Sequence, residues 1–378
     1  MNPKPLFEAF QDAISDPSAT VRKCYDRIGR PVIGVMPAYF PLELIHASGG
    51  YPVQLWGAGL TIEHADAYLQ SYCCSVARSL LEIEMAGLAD QVQAYVFTSL
   101  CDTLINLREI YRRLFAKPTL EFSIPITGSP EARKAYLATV VAGIVKGLEA
   151  VTGRSLIQDA LGRSALLYGR VRTFQRWLYQ LRRQNPGIIK SGDFYATIKA
   201  GFFLPAEDYA PLLEHLVAEL ETFPACGQQR PRLILSGMVF EPLGLHALFD
   251  NLGVYVADDD FASGWRSAAK GELQVGDWVA GITDYLFSGA PCCCIHNPER
   301  DRHTYLIEKV RAAGADGVLF WPIRFCEPDA FDRPKLSARL KQEGIPSFTL
   351  EMDLTTSNFE WARTRVEAFC EMIGGLEE

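Results

Sequence analysis

Short apolar runs and segments of helical spacing alternate along the first third of the chain. The runs PVIGVMP, YPVQLWG, QAYVFTSLC and TLEFSIP are separated by PLELIHASGG, a helical stretch from about residue 71 to 87, and DTLINLREIYRRLF. This alternation predicts a parallel sheet covered by helices. Ser129 followed by Pro130 predicts the cap and first position of a further helix.

The pattern changes in the middle of the chain and then returns. Residues 131–225 lack strand-like runs and carry apolar positions at i, i+3 and i+4, with one break at Pro186-Gly187. Beyond them RPRLILSG, VYVADD, DGVLFWPIRFC and PSFTLEM again alternate with helical segments. The sequence therefore predicts an α/β fold of two Rossmann- or flavodoxin-like lobes with short parallel sheets, joined by a helical segment. The predicted divisions are an N-terminal helical segment (1–30), a first lobe (31–130), a helical connection (131–225) and a second lobe (226–378).

The composition of the chain argues against several classes of function. A net charge of −8 over 378 residues argues against general nucleic-acid binding, which needs a concentrated basic surface. The longest apolar run, Leu137 to Val145, is too short to cross a membrane, and the N-terminus has no apolar signal core. Ten cysteines without an export signal favour the cytoplasm and suggest metal or redox chemistry. Phosphate-loop and dinucleotide fingerprints are missing, so ATP hydrolysis by this chain is not expected.

Two cysteines follow predicted strands at the points where helices begin. Cys101 ends AYVFTSLC and Cys326 ends FWPIRFC, and Asp102 is expected to cap the helix after Cys101. Free backbone N–H groups at a helix N-terminus favour a thiolate. Ligands of open α/β sheets bind beyond the carboxyl ends of the strands, so both thiols are expected to face one cleft.

A third thiol from SYCCSVARSLL would complete a set of three ligands. Three thiolates suit an iron-sulfur cluster with one iron open to water or substrate. The alternative for such widely separated cysteines is burial as small apolar residues. A structural zinc site normally has four ligands at short spacing, and no such cluster is present in the sequence.

The motifs GVMPAYFPLELIHASGG, CCSVARS, FTSLCDTLINLREIY, FCEPDAFDRPKL and EMDLTTSNFEWARTRVEAF resemble one family in order and spacing. It is the family of iron-sulfur subunits shared by 2-hydroxyacyl-CoA dehydratases and ATP-dependent benzoyl-CoA reductases. The resemblance implies two stacked α/β lobes and a 4Fe-4S cluster held in the cleft by Cys74, Cys101 and Cys326. Cys74 is preferred because Ser75 follows it, as in the family motif, and Cys73 is the alternative.

The same resemblance implies partners and a reaction. It implies a homologous iron-sulfur subunit, a separate ATP-hydrolysing activator and an acyl-CoA substrate. LCDTLINL and CCCIHNPERDR look most like the smaller catalytic subunit of benzoyl-CoA reductase, which implies one-electron, dearomatising reduction of a CoA thioester. The alternatives are a 2-hydroxyacyl-CoA dehydratase acting through a ketyl radical and a noncatalytic subunit that relays electrons.

Several further residues are weaker candidates. Glu43, in the family's PxE signature, is a candidate acid or base, with capping or solvation of its helix as the alternative. The family's acidic terminal motif is matched by Glu351, Asp353 and Ser357. Tyr39, Phe40 and Trp56 are expected to exclude water from the first-lobe crevice.

Three runs of similar residues are further candidates for a functional role. Cys292 to Cys294, followed by His296, are expected to form a buried strand near the cleft without binding iron, with a role as additional ligands as the alternative. The arginines of GRVRTFQRWLYQLRRQ suit either phosphate or partner binding or a solvated helix face. Asp258 to Asp260 are more typical of a turn than of a cation site.

Overall fold

The computed structural model describes residues 3–224, 230–274, 276–295, 300–355 and 358–374. Two four-stranded parallel sheets organise the chain, which confirms the predicted pair of α/β lobes. The first sheet has the order β2-β1-β3-β4 and the second the order β6-β5-β7-β8. The strands are β1 (Val32–Met36), β2 (Tyr51–Gln54), β3 (Val92–Thr98), β4 (Thr119–Phe122), β5 (Arg232–Gly237), β6 (Tyr255–Phe261), β7 (Gly317–Trp321) and β8 (Ser347–Thr349).

The two sheets repeat one topology, that of the first four strands of a flavodoxin-like sheet. In this order the switch point lies between β1 and β3 in the first sheet and between β5 and β7 in the second. The loops that follow β3 and β7 carry Cys101 and Cys326. The topology therefore brings each cysteine to the ligand-binding edge of its own sheet.

Fifteen α-helices surround the sheets in the described part of the chain. Before and within the first lobe they are α1 (Lys4–Ser15), α2 (Pro17–Ile28), α3 (Leu42–Ala47), α4 (Ser75–Met85) and α5 (Asp102–Phe115). The helices between the sheets are α6 (Pro130–Thr152), α7 (Gln158–Gln184), α8 (Ser191–Phe203) and α9 (Ala206–Glu221). The second lobe adds α10 (His246–Leu252), α11 (Trp265–Ala268), α12 (Trp278–Phe287), α13 (Arg302–Ala313), α14 (Glu327–Gln342) and α15 (Glu360–Met372). The exact domain boundaries stay a prediction.

Local signals account for several helix starts. Ser129 caps α6 by accepting a hydrogen bond from the Ala132 N–H, and Pro130 occupies the first turn, as predicted. The expected cap at Asp102 is wrong by one residue, because Cys101 is the N-cap and Asp102 is the first helical residue. The carboxylate of Asp102 still lies in the first turn, where the helix dipole favours it.

Two runs fold differently from the expectation. Asp258, Asp259 and Asp260 are fully buried within β6 and do not form a turn. Each carboxylate is within ion-pair distance of at least one arginine or lysine, which allows these charges to enter the core. Cys292 to Cys294 lie in a turn closed by a single bridge between Cys292 and Ile295, so the expected strand is also wrong.

Among the described residues, α6 is the one helix long and apolar enough to cross a membrane by length and composition. Its Leu137, Val141, Ile144 and Leu148 are buried, and the helix packs against β4 and α12. This spacing of three or four residues is that of a helix covering a sheet, and a single helix of this composition is weak support for membrane insertion.

The two lobes meet directly beside the start of α4. The Leu354 N–H donates to Ser75 Oγ at 3.1 Å, and the Leu60 N–H donates to the Leu354 carbonyl at 3.2 Å. Gly57 has φ of +83°, and a Cβ atom there would lie 2.4 Å from Ser79 Oγ. The left-handed backbone and the close approach of α4 thus favour glycine at this position.

Candidate metal centre and adjoining cavity

Three cysteines occupy equivalent positions at helix N-termini. Cys74 is the N-cap of α4, Cys101 the N-cap of α5 and Cys326 the N-cap of α14. All three side chains are partly exposed. Two of these helices belong to the first lobe and one to the second, so a centre held by the three thiols would join both lobes.

The three thiols lie within electrostatic range of one another. Burial raises the pKa of Cys74 to about 11, opposed by the Ala77 N–H, and the Cys101 thiol raises it further. Burial also raises the pKa of Cys326, and the charges of Cys74 and Cys101 add to that increase. Without a cation the three thiols therefore disfavour ionisation together, whereas a bound metal would favour the thiolates.

The N–H groups at the helix N-termini lower the pKa values of the thiols, whereas burial raises them. Burial raises the pKa of Cys101, while the N–H groups of Leu104 and Thr103 lower it. The Asp329 N–H has the same lowering effect on the pKa of Cys326. Glu327, the first residue of α14, raises the pKa of Cys101, so the starts of α5 and α14 are close in space.

Backbone strain accompanies the thiol of the second lobe. Phe325, directly before Cys326, has φ of +64°, a left-handed conformation that is unusual for an aromatic residue. Its ring is 45% exposed, so packing of that ring does not explain the conformation. Such strain is concentrated at functional sites.

The spacing of the three N-cap thiols differs from that of a second cysteine group. In the described chain, Cys292, Cys293 and Cys294 form the one group of three potential ligands whose donor atoms all lie within 4.8 Å of one another. At least one pair of sulfurs among Cys74, Cys101 and Cys326 is therefore farther apart. A single ion needs closely spaced donors, whereas a multi-iron cluster takes each thiolate on a different iron.

The group at Cys292 to Cys294 lies against other soft and charged groups. Arg266 Nη1 is 3.2 Å from Cys292 Sγ, and Cys293 Sγ is 3.7 Å from the Met238 sulfur. Burial opposes ionisation of Cys292, but interactions with Cys293, Cys294, Arg266 and Tyr39 hold its pKa well below the usual value. These sulfurs could hold one soft metal ion. His296 lies outside the described residues.

Glu43 is fully buried and is neither a helix cap nor a solvated side chain. Its Oε1 accepts a hydrogen bond from Arg172 Nη1 at 2.6 Å. Arg172 lies on α7, so the arginine-rich helix is not simply a solvated face. Arg182 on the same helix is also buried and pairs with Asp259 at 3.4 Å, while Arg170 is exposed.

A cavity opens between the ends of β1 and β2, helices α7 and α8, and the second-lobe segment 264–270. Its empty space, including the mouth open to solvent, is about 850 Å³. The predicted aromatic residues Tyr39, Phe40 and Trp56 line it, together with Arg172. Two other lining residues, Lys270 and Tyr285, carry no signal in the sequence, because only tertiary packing brings them to this place.

The terminal motif is partly described. Asp353 Oδ1 accepts hydrogen bonds from the N–H and the hydroxyl of Thr355, and Glu351 is 3.9 Å from Arg324. Ser357 lies outside the described residues. The motif adjoins Leu354, whose contact with Ser75 links it to the start of α4.

Comparison with known proteins identifies relatives over almost the whole chain. The chain is 29% identical to the beta subunit of lactoyl-CoA dehydratase from Anaerotignum propionicum, over 97% of this chain and 99% of the relative. It is 29% identical to one of the subunits of benzoyl-CoA reductase from Thauera aromatica, over 91% of both chains. It is 24% identical to the beta subunit of (R)-phenyllactyl-CoA dehydratase from Clostridium sporogenes, over 98% of this chain and 100% of the relative.

The names of these relatives describe subunits of dehydratases and of a reductase, which agrees with the resemblance noted in the sequence. Residues 37–373 match the profile of the 2-hydroxyglutaryl-CoA dehydratase D-component family. This match includes the three N-cap cysteines and every strand of both sheets except β1. The chain therefore belongs to the 2-hydroxyglutaryl-CoA dehydratase D-component family.

Proposed function

We propose that the chain is the iron-sulfur subunit of an enzyme that performs single-electron chemistry on a CoA thioester. In this proposal Cys74, Cys101 and Cys326 bind a 4Fe-4S cluster. The observation that supports the proposal is that all three cysteines are N-cap residues, on helices of both lobes, and that the Cys101 thiol acts electrostatically on Cys74 and Cys326. Cys73 has no equivalent cap position, since it precedes the N-cap residue of α4.

The donor set fits such a cluster. Three thiolates leave one iron open to a non-protein ligand, and the three helix N-termini favour the negative charge of a thiolate-bound cluster. When bound, the cluster supplies storage and transfer of one electron at a time. The protein's own residues hold it between the lobes, and the buried rings of Tyr39, Phe40 and Trp56 keep water from the neighbouring crevice.

The reaction we favour is the dearomatising reduction of benzoyl-CoA or a similar aromatic acyl-CoA. Its support is the likeness to the benzoyl-CoA reductase relative over 91% of both chains, together with the LCDTLINL and CCCIHNPERDR segments. Two electrons and two protons, added singly, convert the aromatic ring to a cyclic diene. The electrons come from a separate ATP-hydrolysing activator, and the complete enzyme also contains a homologous iron-sulfur subunit.

Dehydration of a 2-hydroxyacyl-CoA through a ketyl radical is the second candidate. The equal identity to the beta subunit of lactoyl-CoA dehydratase, over nearly the full length of both chains, favours it. A third candidate is a subunit that only relays electrons to its partner. We place the protein in the cytoplasm, where the unpaired thiols of the nine described cysteines would stay reduced.

Replacement of single cysteines by serine tests the cluster assignment. In anaerobically purified enzyme, Cys74→Ser, Cys101→Ser and Cys326→Ser should each greatly lower iron and sulfide content and the EPR signal of the reduced cluster. Cys73→Ser is the adjacent control, and Cys24→Ser and Cys370→Ser are buried controls outside the centre. Equal iron content in all six variants would overturn the assignment.

The electron balance separates the candidate reactions. The complete enzyme is supplied with activator, ATP and either benzoyl-CoA or 2-hydroxyacyl-CoA, and the ATP hydrolysed is compared with the product formed. A reductase consumes ATP and electrons in proportion to product, whereas a dehydratase needs them only to start turnover. If 2-hydroxyacyl-CoA is turned over with substoichiometric ATP, the proposed reductase is wrong and the enzyme is a dehydratase. A substrate response confined to the partner's cluster would favour the relay.

A further inference from the structure

The cavity beside Arg172 has the electrostatics of an anion site. Arg172 and Lys270 are its charged lining residues, and no carboxylate is among the described residues that line it. Both side chains are only about 5% exposed. Glu43 already neutralises Arg172 from outside the lining, so Lys270 leaves one positive charge that a bound anion would compensate.

Arg172 presents a free pair of donors. Its Nη1 is used by Glu43, whereas Nε and Nη2 are buried and have no hydrogen-bond partner. Nε and Nη2 form one edge of the planar guanidinium, the edge that binds both oxygens of a carboxylate side by side. The orphaned atoms are thus a preformed fork of the shape that a carboxylate accepts.

Lys270 supplies a second donor that forms no direct ion pair with Glu43, the carboxylate nearest in effect. Its Nζ lies 3.3 Å from the Tyr285 hydroxyl, 4.6 Å from the centre of the Tyr285 ring and 4.8 Å from that of Tyr39. Glu43 raises the pKa of this ammonium group from a distance, and its carboxylate is already paired with Arg172. Burial lowers the pKa of Lys270 to about 7, which the charge of a nearby anion would reverse. Arg176 fixes the backbone here by donating to the Lys270 carbonyl at 3.4 Å.

One wall of the cavity is apolar, and polar side chains such as Gln54, Gln175 and Ser267 lie elsewhere in the lining. Phe40, Trp56, Ile198 and Phe202 line it, and the rings of Trp56 and Phe202 lie 6.1 Å apart. Trp56 Nε1 is buried and also lacks a partner. An inorganic anion would make no contact with these apolar side chains, whereas the hydrocarbon part of an organic acid would pack against them.

We propose that this cavity binds a small organic monocarboxylate, with the carboxylate between the Nε–Nη2 edge of Arg172 and the ammonium of Lys270 and the hydrocarbon body against Trp56, Phe40 and Phe202. No cysteine lines this site, although Tyr39 in its wall also interacts with Cys292. It makes no use of bound iron or of CoA. The proposal therefore stands or falls independently of the proposed reaction.

Calorimetric titration of the anaerobically purified full chain tests the proposal. Benzoate, cyclohexanecarboxylate and propionate are the probes, and benzamide is the neutral match for benzoate. We expect at least one acid to bind, and benzamide to bind at least about tenfold more weakly than benzoate, because the fork and the ammonium recognise charge. Absence of binding by all three acids at about 5 mM would overturn the proposal.

Arg172→Lys keeps a cation beside Glu43 but removes the fork, and it should weaken binding at least about tenfold. Arg170→Lys is the matched control on the exposed face of the same helix, where it should leave affinity unchanged. Equal affinity of the Arg172→Lys variant and the wild type would contradict the site. If Arg172→Lys does not fold, the test is the crystal structure of the wild type soaked with 4-bromobenzoate. An anomalous bromine peak in this cavity supports the proposal, and a peak elsewhere or none rejects it.

Discussion

Glu43 and Arg172 form a buried ion pair that ties the first lobe to the helices between the sheets. Glu43 Oε1 and Arg172 Nη1 are 2.6 Å apart, and Glu43 is fully buried. The pair leaves Glu43 Oε2 and two arginine nitrogens without partners. Such an incompletely satisfied buried pair costs stability, and its retention is typical of a functional cavity.

Glu43→Gln should destabilise the protein by about 3 kcal/mol, because it leaves the buried Arg172 guanidinium without a counter-charge. The measurement is the free energy of unfolding from urea titration. Glu214→Gln, which removes the exposed partner of Arg170 on the same helix, should change it by less than about 1 kcal/mol. Equal losses in the two variants would show that the Glu43 pair has no special role.

The sheets and most helices were predictable because each carries its own local signal. Apolar runs such as PVIGVMP indicate a strand that is buried on both faces, and Ser129-Pro130 indicates the start of a helix. Cys101 and Cys326 were placed at the strand ends by the same local pattern. These features depend on neighbours in sequence, so one chain suffices to find them.

The cavity and the buried charges were not predictable in this way. Asp258 to Asp260 are typical of a turn by composition, but arginines and lysines from other elements neutralise them within β6. Lys270 follows a short apolar stretch with no distinguishing pattern, and it reaches Tyr285 only through packing of distant segments. Burial of a charge depends on its partners in space, which the sequence of the element itself does not contain.

Asp260→Asn should be strongly destabilising, by about 3 to 5 kcal/mol at neutral pH. Burial opposes ionisation of Asp260, but the charges of Arg266 and Arg302 hold its pKa below the usual value. The carboxylate accepts from Arg266 Nε and Nη2 at 2.9 Å each and from Arg302 Nη2 at 3.0 Å. Urea unfolding measures the loss.

Asp66→Asn is the matched control for Asp260→Asn, since Asp66 also receives two hydrogen bonds from one arginine, Arg78, but is exposed. We expect a loss below about 1 kcal/mol for this variant. If Asp260→Asn were no worse than Asp66→Asn, the buried network would not support the second lobe.

Glu84 should make the protein less stable as pH rises from about 4.5 to about 7. Burial raises the pKa of Glu84 from 4.5 to about 7, against the opposing effects of Tyr95 and Lys117. Between these values the folded chain holds a proton that the unfolded chain has lost, so the free energy of unfolding falls with pH and levels off above 7. Glu84→Gln should remove this slope and gain up to about 3 kcal/mol relative to wild type at pH 8.

Glu82 on the same helix provides a control of opposite sign. Burial raises its pKa, but the N–H groups of Ala65 and His64 and the His64 ring lower it more, so the net pKa is below the usual value. Its stabilisation is present above pH 4.5 and is lost as pH falls through the folded pKa. Glu82→Gln should therefore lower stability at pH 8. Parallel unfolding curves for both variants across this pH range would refute the assignment.

Cys292, Cys293 and Cys294 should bind one soft metal ion when the three N-cap cysteines are absent. Their donor atoms lie within 4.8 Å of one another, and the Met238 sulfur is 3.7 Å from Cys293. In a Cys74→Ser/Cys101→Ser/Cys326→Ser background, we expect about one Cd²⁺ per chain, seen as cadmium-thiolate absorbance, because soft ions select sulfur donors. Adding Cys293→Ser should remove the band, whereas adding Cys370→Ser should retain it. If both additions left the absorbance unchanged, the cadmium would be bound elsewhere and the turn would have no metal-binding role.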